Sequence, residues 1–428
     1  MRIPFDDCNT DEPPSSRLTA RMVGTVVIAN ALEFFDYFAY ATFAAFITQA
    51  FFTQEPHARG ALLAFGIFAA GFLSRPIGAL LIGAYADTAG RKPALLLTSA
   101  LITIGTLGVA VVPTHATLGS YAPFLVLCCR VLQGVAIGGE MGSASALLVE
   151  SCAPARKALY AGCLMAGQGL ALVVAGSLGI VMYGFLQAGQ IAQWGWRLPF
   201  ALAAALIPVQ IALRRRIQET WQPGRQRTPL RESVTLYRRE WLIAIVLIFG
   251  GTVPTYVATY VSSFGLAGVR PTIHASFVTT LAVGAVTLVL SVAGGWLADR
   301  VGHLSMVVIS RGLTMAAVLP AFHFAALHHD ALTLACVVAL FAGLSALGGG
   351  PSIVVILNMF PVRGRAVAMS LVYAIGVALF GGTAPFVVAS VDLFTGGHLA
   401  AAWYIFFSSA VTVLTVCVMR ERCVAANR

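Results

Sequence analysis

Five ionisable side chains fall deep inside otherwise apolar stretches of this sequence: Glu33 and Asp36 in the first, Arg75 in the second, Arg130 and Glu140 in the fourth. A charge inside an apolar span costs about 2.5–3.5 kcal/mol on insertion scales, so each of these groups needs a use. An aspartate and an arginine in one low-dielectric site compete for protons and for anions. While Arg130 pairs with Asp36 the acid stays ionised. Once an anion takes Arg130, Asp36 loses its partner and protonation is favoured. Proton and anion uptake are then coupled at a single place.

Spacing assigns these groups to helix faces. At about 100° per residue, Asn30, Glu33, Asp36, Tyr37 and Tyr40 fall within an arc of roughly 120°. Phe34, Phe35 and Phe38 point elsewhere, as suits lipid or packing. A water-filled cavity on the polar side is the simplest cause. Arg130, Gln133, Ile137 and Glu140 recur at helical spacing and share one face. Gly134, Gly138 and Gly142 form a separate stripe that lets a neighbouring helix approach closely.

The elements that must hold these groups are membrane helices. Of 428 residues 58% are apolar and only 10% charged, against about a quarter charged in a soluble domain. That excludes a cytosolic enzyme, a disordered chain and a nucleic-acid binder. Apolar runs predict twelve spans: 21–51, 59–86, 93–113, 121–150, 158–187 and 196–213, then 241–265, 274–298, 304–325, 331–360, 365–390 and 400–419. Each meets the roughly 20-residue scale of a bilayer crossing, and the longest imply tilt or kinks.

The net charge of +10 has a topological meaning. With the N-terminus inside, 21 of the 27 basic residues fall in segments on the cytoplasmic side and three (Arg59, Arg197, Arg270) on the other. Such asymmetry predicts an even number of spans in each half and both termini in the cytoplasm. The expected organisation is a tail over 1–20, a six-helix bundle over 21–213, a cytoplasmic connector over 214–240 suited to anionic headgroups, a second bundle over 241–420 and a tail over 421–428. The acids Asp6, Asp7, Asp11 and Glu12 argue against a cleaved signal peptide. The absence of a C-x-x-C pair argues against zinc or a disulfide framework. No histidine spacing suits a metal.

The two halves echo one another. Gly83-Ala-Tyr-Ala-Asp87-Thr-Ala-Gly90-Arg91-Lys92 follows span two, and Gly295-Trp-Leu-Ala-Asp299-Arg300-Val-Gly302-His303 follows span eight. Pro154-Ala-Arg156-Lys157 is matched by Pro361-Val-Arg363-Gly364-Arg365 at nearly the same offset. The repeat places apolar Ile248 and Val337 where the first half has Asp36 and Arg130. The second half instead offers hydroxyls, Thr252, Thr255, Tyr256, Thr259 and Ser263 in span seven, with Asn358 and Tyr373 in spans ten and eleven. These suit specificity rather than coupling, or packing of helices.

The G-x-x-x-D-x-x-G-R-K loop, its weaker copy and twelve spans in two halves resemble the major facilitator superfamily. Glu33-Phe-Phe-Asp36, Arg75-Pro76-Ile-Gly78, Arg130-Val-Leu-Gln133-Gly134, Gly138-Gly139-Glu140, Trp194-Gly195-Trp196-Arg197-Leu-Pro199-Phe200 and Arg215-Arg216-Ile-Gln218-Glu219-Thr220 are similar to its metabolite–proton symporter branch. Leu32 to Phe38 and Phe380-Gly381-Gly382-Thr383-Ala-Pro385 look most like the citrate and tricarballylate transporters. The departure is Gly302-His303-Leu304, where the family pattern is more basic.

The resemblance implies an all-α fold of two pseudo-symmetric six-helix bundles. It also implies a proton-coupled symporter importing an organic acid, a tricarboxylate such as citrate or tricarballylate, across a bacterial inner membrane. The alternative cargoes are another carboxylated metabolite: a betaine- or proline-type osmolyte, shikimate or a dicarboxylate. The proton is the coupling ion, no other cofactor is expected, and the fold works as a monomer in lipid. Proton coupling is expected at Asp36, Glu33 and Arg130, and substrate binding at Arg130, Asn30, Tyr37, Gln133, Glu140, Tyr256, Thr259, Asn358 and Tyr373. By resemblance, gating falls to Asp87, Gly90, Arg91, Lys92, Glu150, Arg156, Asp299 and Arg300. Arg75 and Arg311 are long enough to snorkel to the inner surface, although Arg75 is deep enough to serve a polycarboxylate as a second cation. An intramembrane metalloenzyme would need H-E-x-x-H and an ATP-driven pump a P-loop, and neither is present.

Overall fold

A computed structural model of the chain describes residues 20–53, 55, 57–89, 91–138, 142, 145, 148–149, 152–215, 235–265, 272–328, 330–361, 365–395 and 399–426. These residues form twelve helical rods and, among them, no strand. They are α1 (Ala20–Thr42 and Ala44–Phe51), α2 (His57–Leu73 and Arg75–Ala89), α3 (Arg91–Val111), α4 (Tyr121–Ile137), α5 (Lys157–Phe185) and α6 (Leu198–Arg215). The second half has α7 (Arg238–Phe264), α8 (Ile273–Val301), α9 (His303–His328), α10 (Ala331–Asn358), α11 (Arg365–Gly376, Val377–Gly382 and Ala384–Thr395) and α12 (Ala400–Ala426). Nine stretches of described helix have the length and hydropathy to cross a membrane, and Leu96–Val111 and Tyr121–Ile137 are shorter apolar helices.

Local chemistry sets where rods begin, bend and end. The Asp330 carboxylate accepts from Leu332 N at 3.2 Å and Thr333 N at 2.9 Å, starting α10 with two otherwise orphaned donors satisfied. Gly302, at φ +95°, stops α8 in a conformation that side chains resist. The first, second and eleventh spans are among the long ones for which tilt or kinks are expected, and the structure breaks all three. In α2 the cause is Pro76, which has no N–H to donate and crowds the carbonyl four residues back. Ser74 stands at this break, its hydroxyl within reach of Gly71 O at 2.9 Å and Val131 O at 3.0 Å on α4. In α11 one wide π-type turn, Val377–Gly382, sits at mid-depth. Such turns recur at functional positions.

Glycines decide how closely the rods pack. The α4 stripe meets α2 backbone to backbone: a Cβ on Gly134 would collide with Gly71 O and Ser74 Oγ, and one on Gly138 with Arg75 O. Gly142 continues the stripe onto Ser370 of α11. Between the halves, α5 and α8 touch along their length, with Gly162 against Ser291 O, Gly169 against Leu288 N and Gly295 against Ala158 O. Near the end opposite Asp299, Ser263 Oγ donates to Ala41 O at 2.7 Å and Phe43 packs on Phe277 at 5.1 Å between ring centres. The halves therefore meet at both ends, and the polar groups of α1, α2 and α4 lie enclosed between.

Candidate substrate and proton site

Asp36 of α1 lies against α4. Arg130 Nη1 donates to Asp36 Oδ2 at 3.0 Å, and Gln133 Nε2 donates to the same oxygen at 2.7 Å. The i, i+3 spacing on α4 brings both donors to one carboxylate oxygen. Gln133 also bonds Thr106 Oγ1 of α3 at 2.8 Å, which fixes the amide. Arg130 is 0% exposed and Asp36 5%. Rings of Tyr40, at 4.3 Å, and Phe200, at 5.4 Å, cover the guanidinium.

The pair is only half satisfied. Asp36 Oδ1 and Arg130 Nε and Nη2 are buried without hydrogen-bond partners. Buried polar atoms are nearly always bonded, and an exception calls for an explanation such as a functional role. The arrangement leaves one carboxylate oxygen open to a proton and one edge of a guanidinium open to an anion.

Glu33 and Asn30 do not share this pocket, and Tyr37 only borders it, its ring centre 5.6 Å from Arg130 Cζ. Glu33 faces α6, where Gln210 Nε2 approaches Oε1 at 3.5 Å. Asn30 faces α5, its amide oxygen lying where a Cβ on Gly167 would be. Tyr37 turns to α2, with its ring 4.9 Å from that of Phe72. The expected single water-lined arc is thus a set of contacts to four different helices. The reason is that α1 is surrounded on all sides, so neighbouring positions on one arc meet different partners. For the same reason Phe34, Phe35 and Phe38 are buried and none faces lipid.

Both remaining intramembrane arginines correct the snorkelling expectation. Arg75 is 2% exposed, its Cζ 3.9 Å from the Phe72 ring centre and 4.6 Å from that of Tyr37. Arg311 is 0% exposed and donates to Ser345 Oγ at 3.1 Å and Ser345 O at 3.3 Å on α10. Ser345 in turn donates to Gly251 O of α7 at 2.8 Å. Arg311 is hydrogen-bonded inside its bundle, whereas Arg75 lies among aromatic rings with Nε and Nη2 unpartnered.

The second half contributes unevenly. Thr252, Thr255 and Thr259 spend their hydroxyls on carbonyls of α7 itself, Thr259 donating to Tyr256 O at 2.8 Å. That satisfies them within the helix. Asn358 is the last residue of α10 and lies away from the mid-depth groups. Tyr256 and Tyr373 do point inward: the Tyr256 ring is 5.3 Å from Phe72, and Gln168 Nε2 of α5 donates to the Tyr373 hydroxyl at 3.3 Å.

Of the expected gating residues, Gly90, Glu140 of the substrate set and Glu150 lie outside the described residues. Asp87, Arg91 and Lys92 have helical backbone, and their side chains lie outside what is described. Asp299 is explicit. Its carboxylate accepts from Ala158 N and Leu159 N, both at 2.9 Å, so an acid of the second half caps the N-terminus of α5 in the first. This joins the halves through the helix dipole and two charge-assisted bonds. His303 adds a contact to Asp299 at 3.3 Å. Arg156 is exposed, and Arg300 stacks on Trp296 at 3.7 Å.

Removing this cap has a readable consequence. Burial, with the Asp299 charge adding to it, pushes the Cys152 thiol up to about 11. Asp299→Ala lowers that barrier to ionisation and frees the end of α5. Loss of a helix cap costs about 1 kcal/mol, so alkylation of Cys152 by a maleimide should speed up roughly fivefold. The measurement uses a chain in which the other cysteines are serine. An unchanged rate would show that Asp299 does not hold this end closed.

The pattern of the Major Facilitator Superfamily matches residues 29–385. The chain belongs to the major facilitator superfamily. A citrate-proton symporter of Klebsiella pneumoniae is 30% identical over 407 residues, covering 94% of this chain and 92% of the relative. An alpha-ketoglutarate permease of Escherichia coli strain K12 is 31% identical over 429 residues, covering 96% and 97%. In fold the chain is similar to a proton:xylose symporter solved with 6-bromo-6-deoxy-D-glucose, with a TM-score of 0.74, 14% identity and coverage of 94% and 96%. As a major facilitator it is a multi-pass membrane transporter and not an enzyme, built of twelve helices in two related bundles.

Several residues of this facilitator's core escaped the sequence reading. Thr106, Gln168 and Gln210 hold Gln133, Tyr373 and Glu33 respectively. Gln168 and Gln210 are each a lone amide within an apolar span, a rarity that was a usable signal, whereas Thr106 is one of four hydroxyls in α3.

Proposed function

We propose that this facilitator imports a carboxylated metabolite together with a proton, by alternating access, with Asp36 as the proton carrier and Arg130 as the group that senses cargo. The direct contact between Arg130 and Asp36, half satisfied and sealed from solvent, carries this reading. When a carboxylate of the cargo takes Arg130, Asp36 is left with Gln133 alone in a low-dielectric site, and binding a proton removes the uncompensated charge. One carboxylate of the cargo is then neutralised by Arg130, and the proton crosses on Asp36. Release of the cargo returns Arg130 to Asp36 and expels the proton. Glu33, against Gln210, stands one turn away as a second acid; Tyr37 and Gln133 border the pair.

A tricarboxylate such as citrate or tricarballylate is the leading cargo, because citrate-proton symporters are among the similar proteins over nearly the whole chain. A dicarboxylate is the second reading, supported by the similarity to an alpha-ketoglutarate permease. The charge distribution supports both termini and the 214–240 connector on the cytoplasmic side of a bacterial inner membrane, with bundles over 21–213 and 241–420. Asp299, and by resemblance Asp87, Gly90, Arg91, Lys92, Glu150, Arg156 and Arg300, serve the cytoplasmic gate.

Uptake into proteoliposomes tests this reading. Radiolabelled citrate, tricarballylate, alpha-ketoglutarate, shikimate and betaine are offered with an inward proton gradient, with and without protonophore. Accumulation of a di- or tricarboxylate that collapses with protonophore is expected. Accumulation that ignores protonophore would contradict proton coupling.

A further inference from the structure

We propose that Arg75 is a carboxylate-binding subsite, distinct from the Asp36–Arg130 pair and completed by tyrosines of both halves, and that its pairing with Arg130 selects cargo bearing two or more carboxylates. The inference rests on the proposed import of a carboxylate and names the group that recognises it.

Arg75 begins the second segment of α2, at the mid-depth break caused by Pro76. Its guanidinium is enclosed by Phe72, Tyr37 and Phe34, at 3.9, 4.6 and 5.8 Å from Cζ to the ring centres. Aromatic faces tolerate a cation but do not neutralise it. Among the described residues no carboxylate forms an ion pair with Arg75, and its Nε and Nη2 are buried with no hydrogen-bond partner. Buried cations are ordinarily paired. Here the missing partner has the geometry of a planar anion, since a guanidinium edge offers two parallel donors.

Among the described residues, the surroundings supply further donors and no competing acid beyond the pair already described. Tyr256 of α7 reaches the same region, its ring against Phe72 and its hydroxyl buried without a partner. Tyr256 and Tyr373 both lie within electrostatic reach of Arg75. The Tyr373 hydroxyl accepts from Gln168 and keeps its own proton to give. The wide turn of α11 makes room for this: a Cβ on Gly382 would strike Phe72, and one on Gly381 would press on the Tyr256 ring at 3.0 Å. Donors from α1, α2, α7 and α11 thus converge from both bundles.

Tyr37 links the two cations. Its ring centre is 4.6 Å from Arg75 Cζ and 5.6 Å from Arg130 Cζ. A cargo with two carboxylates can hold one on Arg75, where among the described residues no acid pairs with it, and place the other on Arg130, where it displaces Asp36. A betaine or any monocarboxylate satisfies one cation and leaves the other unpaired, and that unpaired buried charge is the source of discrimination.

The test measures binding and transport by the full-length protein in liposomes for wild type, Arg75→Gln, Arg75→Lys and Tyr256→Phe. Tricarballylate, glutarate and the monocarboxylate butyrate are the probes, with folding checked by monodispersity and melting. Losing one partner of a buried charge pair predicts a Kd for tricarballylate and glutarate raised about 100-fold in Arg75→Gln. Arg75→Lys should recover part of that loss. Tyr256→Phe should weaken binding by about tenfold, the loss of one hydrogen bond to a charge. The pH profile of residual uptake at saturating cargo, which belongs to Asp36, should not move. A folded Arg75→Gln or Tyr256→Phe protein with unchanged affinity for tricarballylate would overturn the subsite while leaving proton-coupled import intact. If Arg75→Gln does not fold, Arg75→Lys and Tyr256→Phe decide the outcome by the same readings. A wild type that takes up none of the di- and tricarboxylates, or takes up butyrate as well as tricarballylate, would overturn the selection outright. In the former case the carboxylate reading falls with it.

Discussion

Asp36→Asn abolishes uphill uptake and leaves exchange of cargo across the membrane intact. Asparagine keeps an oxygen that accepts from Arg130 and Gln133, so the contacts at 3.0 and 2.7 Å have a substitute and the bundle is held. What it lacks is an oxygen that can gain or lose a proton. For one proton carried per cargo, each unit of pH difference is worth about 1.4 kcal/mol, or a tenfold accumulation. The variant should therefore stop at equal concentrations on the two sides whatever the gradient, while counterflow of labelled cargo continues. It should also bind cargo more tightly, because no carboxylate competes for Arg130. Counterflow and protonophore-sensitive accumulation, compared in one preparation, check both points. Retained pH-driven accumulation in Asp36→Asn would move the proton to another acid, Glu33 being the nearest along α1.

Arg130→Gln is expected to be the most damaging single change, in stability as well as transport. Asp36 is then a buried carboxylate facing only neutral amides, and breaking a buried pair in this way costs roughly 3–5 kcal/mol. The cargo loses the cation that senses it. Folded yield and melting temperature should fall sharply. Adding Asp36→Asn to Arg130→Gln removes the second charge and should recover most of the lost stability, a non-additive result that identifies the pair as the interacting unit. Transport should not return in the double variant. Full additivity of the two changes would show that the two groups are energetically independent despite their contact.

The helical period and the cost of charge in lipid made much of this architecture legible. Those two facts were enough to put Asp36 and Arg130 at mid-depth on inward faces, and the repeat of Asp87 at Asp299 was enough to divide the chain into halves. The choice of partner was not legible. Asn30, Glu33, Asp36 and Tyr37 lie within little more than two turns of α1, yet they meet α5, α6, α4 and α2 respectively, because neighbours around a central helix depend on how six rods close. Arg311 read as a snorkelling cation, and Arg75 as that or as a second cation for a polycarboxylate, since nothing local marks a ring of aromatics or a serine thirty-four residues away. The hydroxyls of α7 read as a binding stripe or a packing one; in the structure three of them bond their own helix, an outcome that composition does not separate from binding. The breaks at Ser74 and at Val377–Gly382 follow from Pro76 and from paired glycines, both visible in sequence, but only the packed structure shows that Phe72 and Tyr256 fill the space they open.

The exchange of partners at Arg130 is tested most directly by proton uptake on cargo binding. Purified transporter in weakly buffered detergent solution, with a pH indicator, is mixed with saturating tricarballylate. Protons should disappear from solution as cargo binds to the wild type, and no such change should accompany binding to Asp36→Asn. Cargo binding without proton uptake by the wild type, or the same uptake by both proteins, would contradict a shared site for proton and cargo.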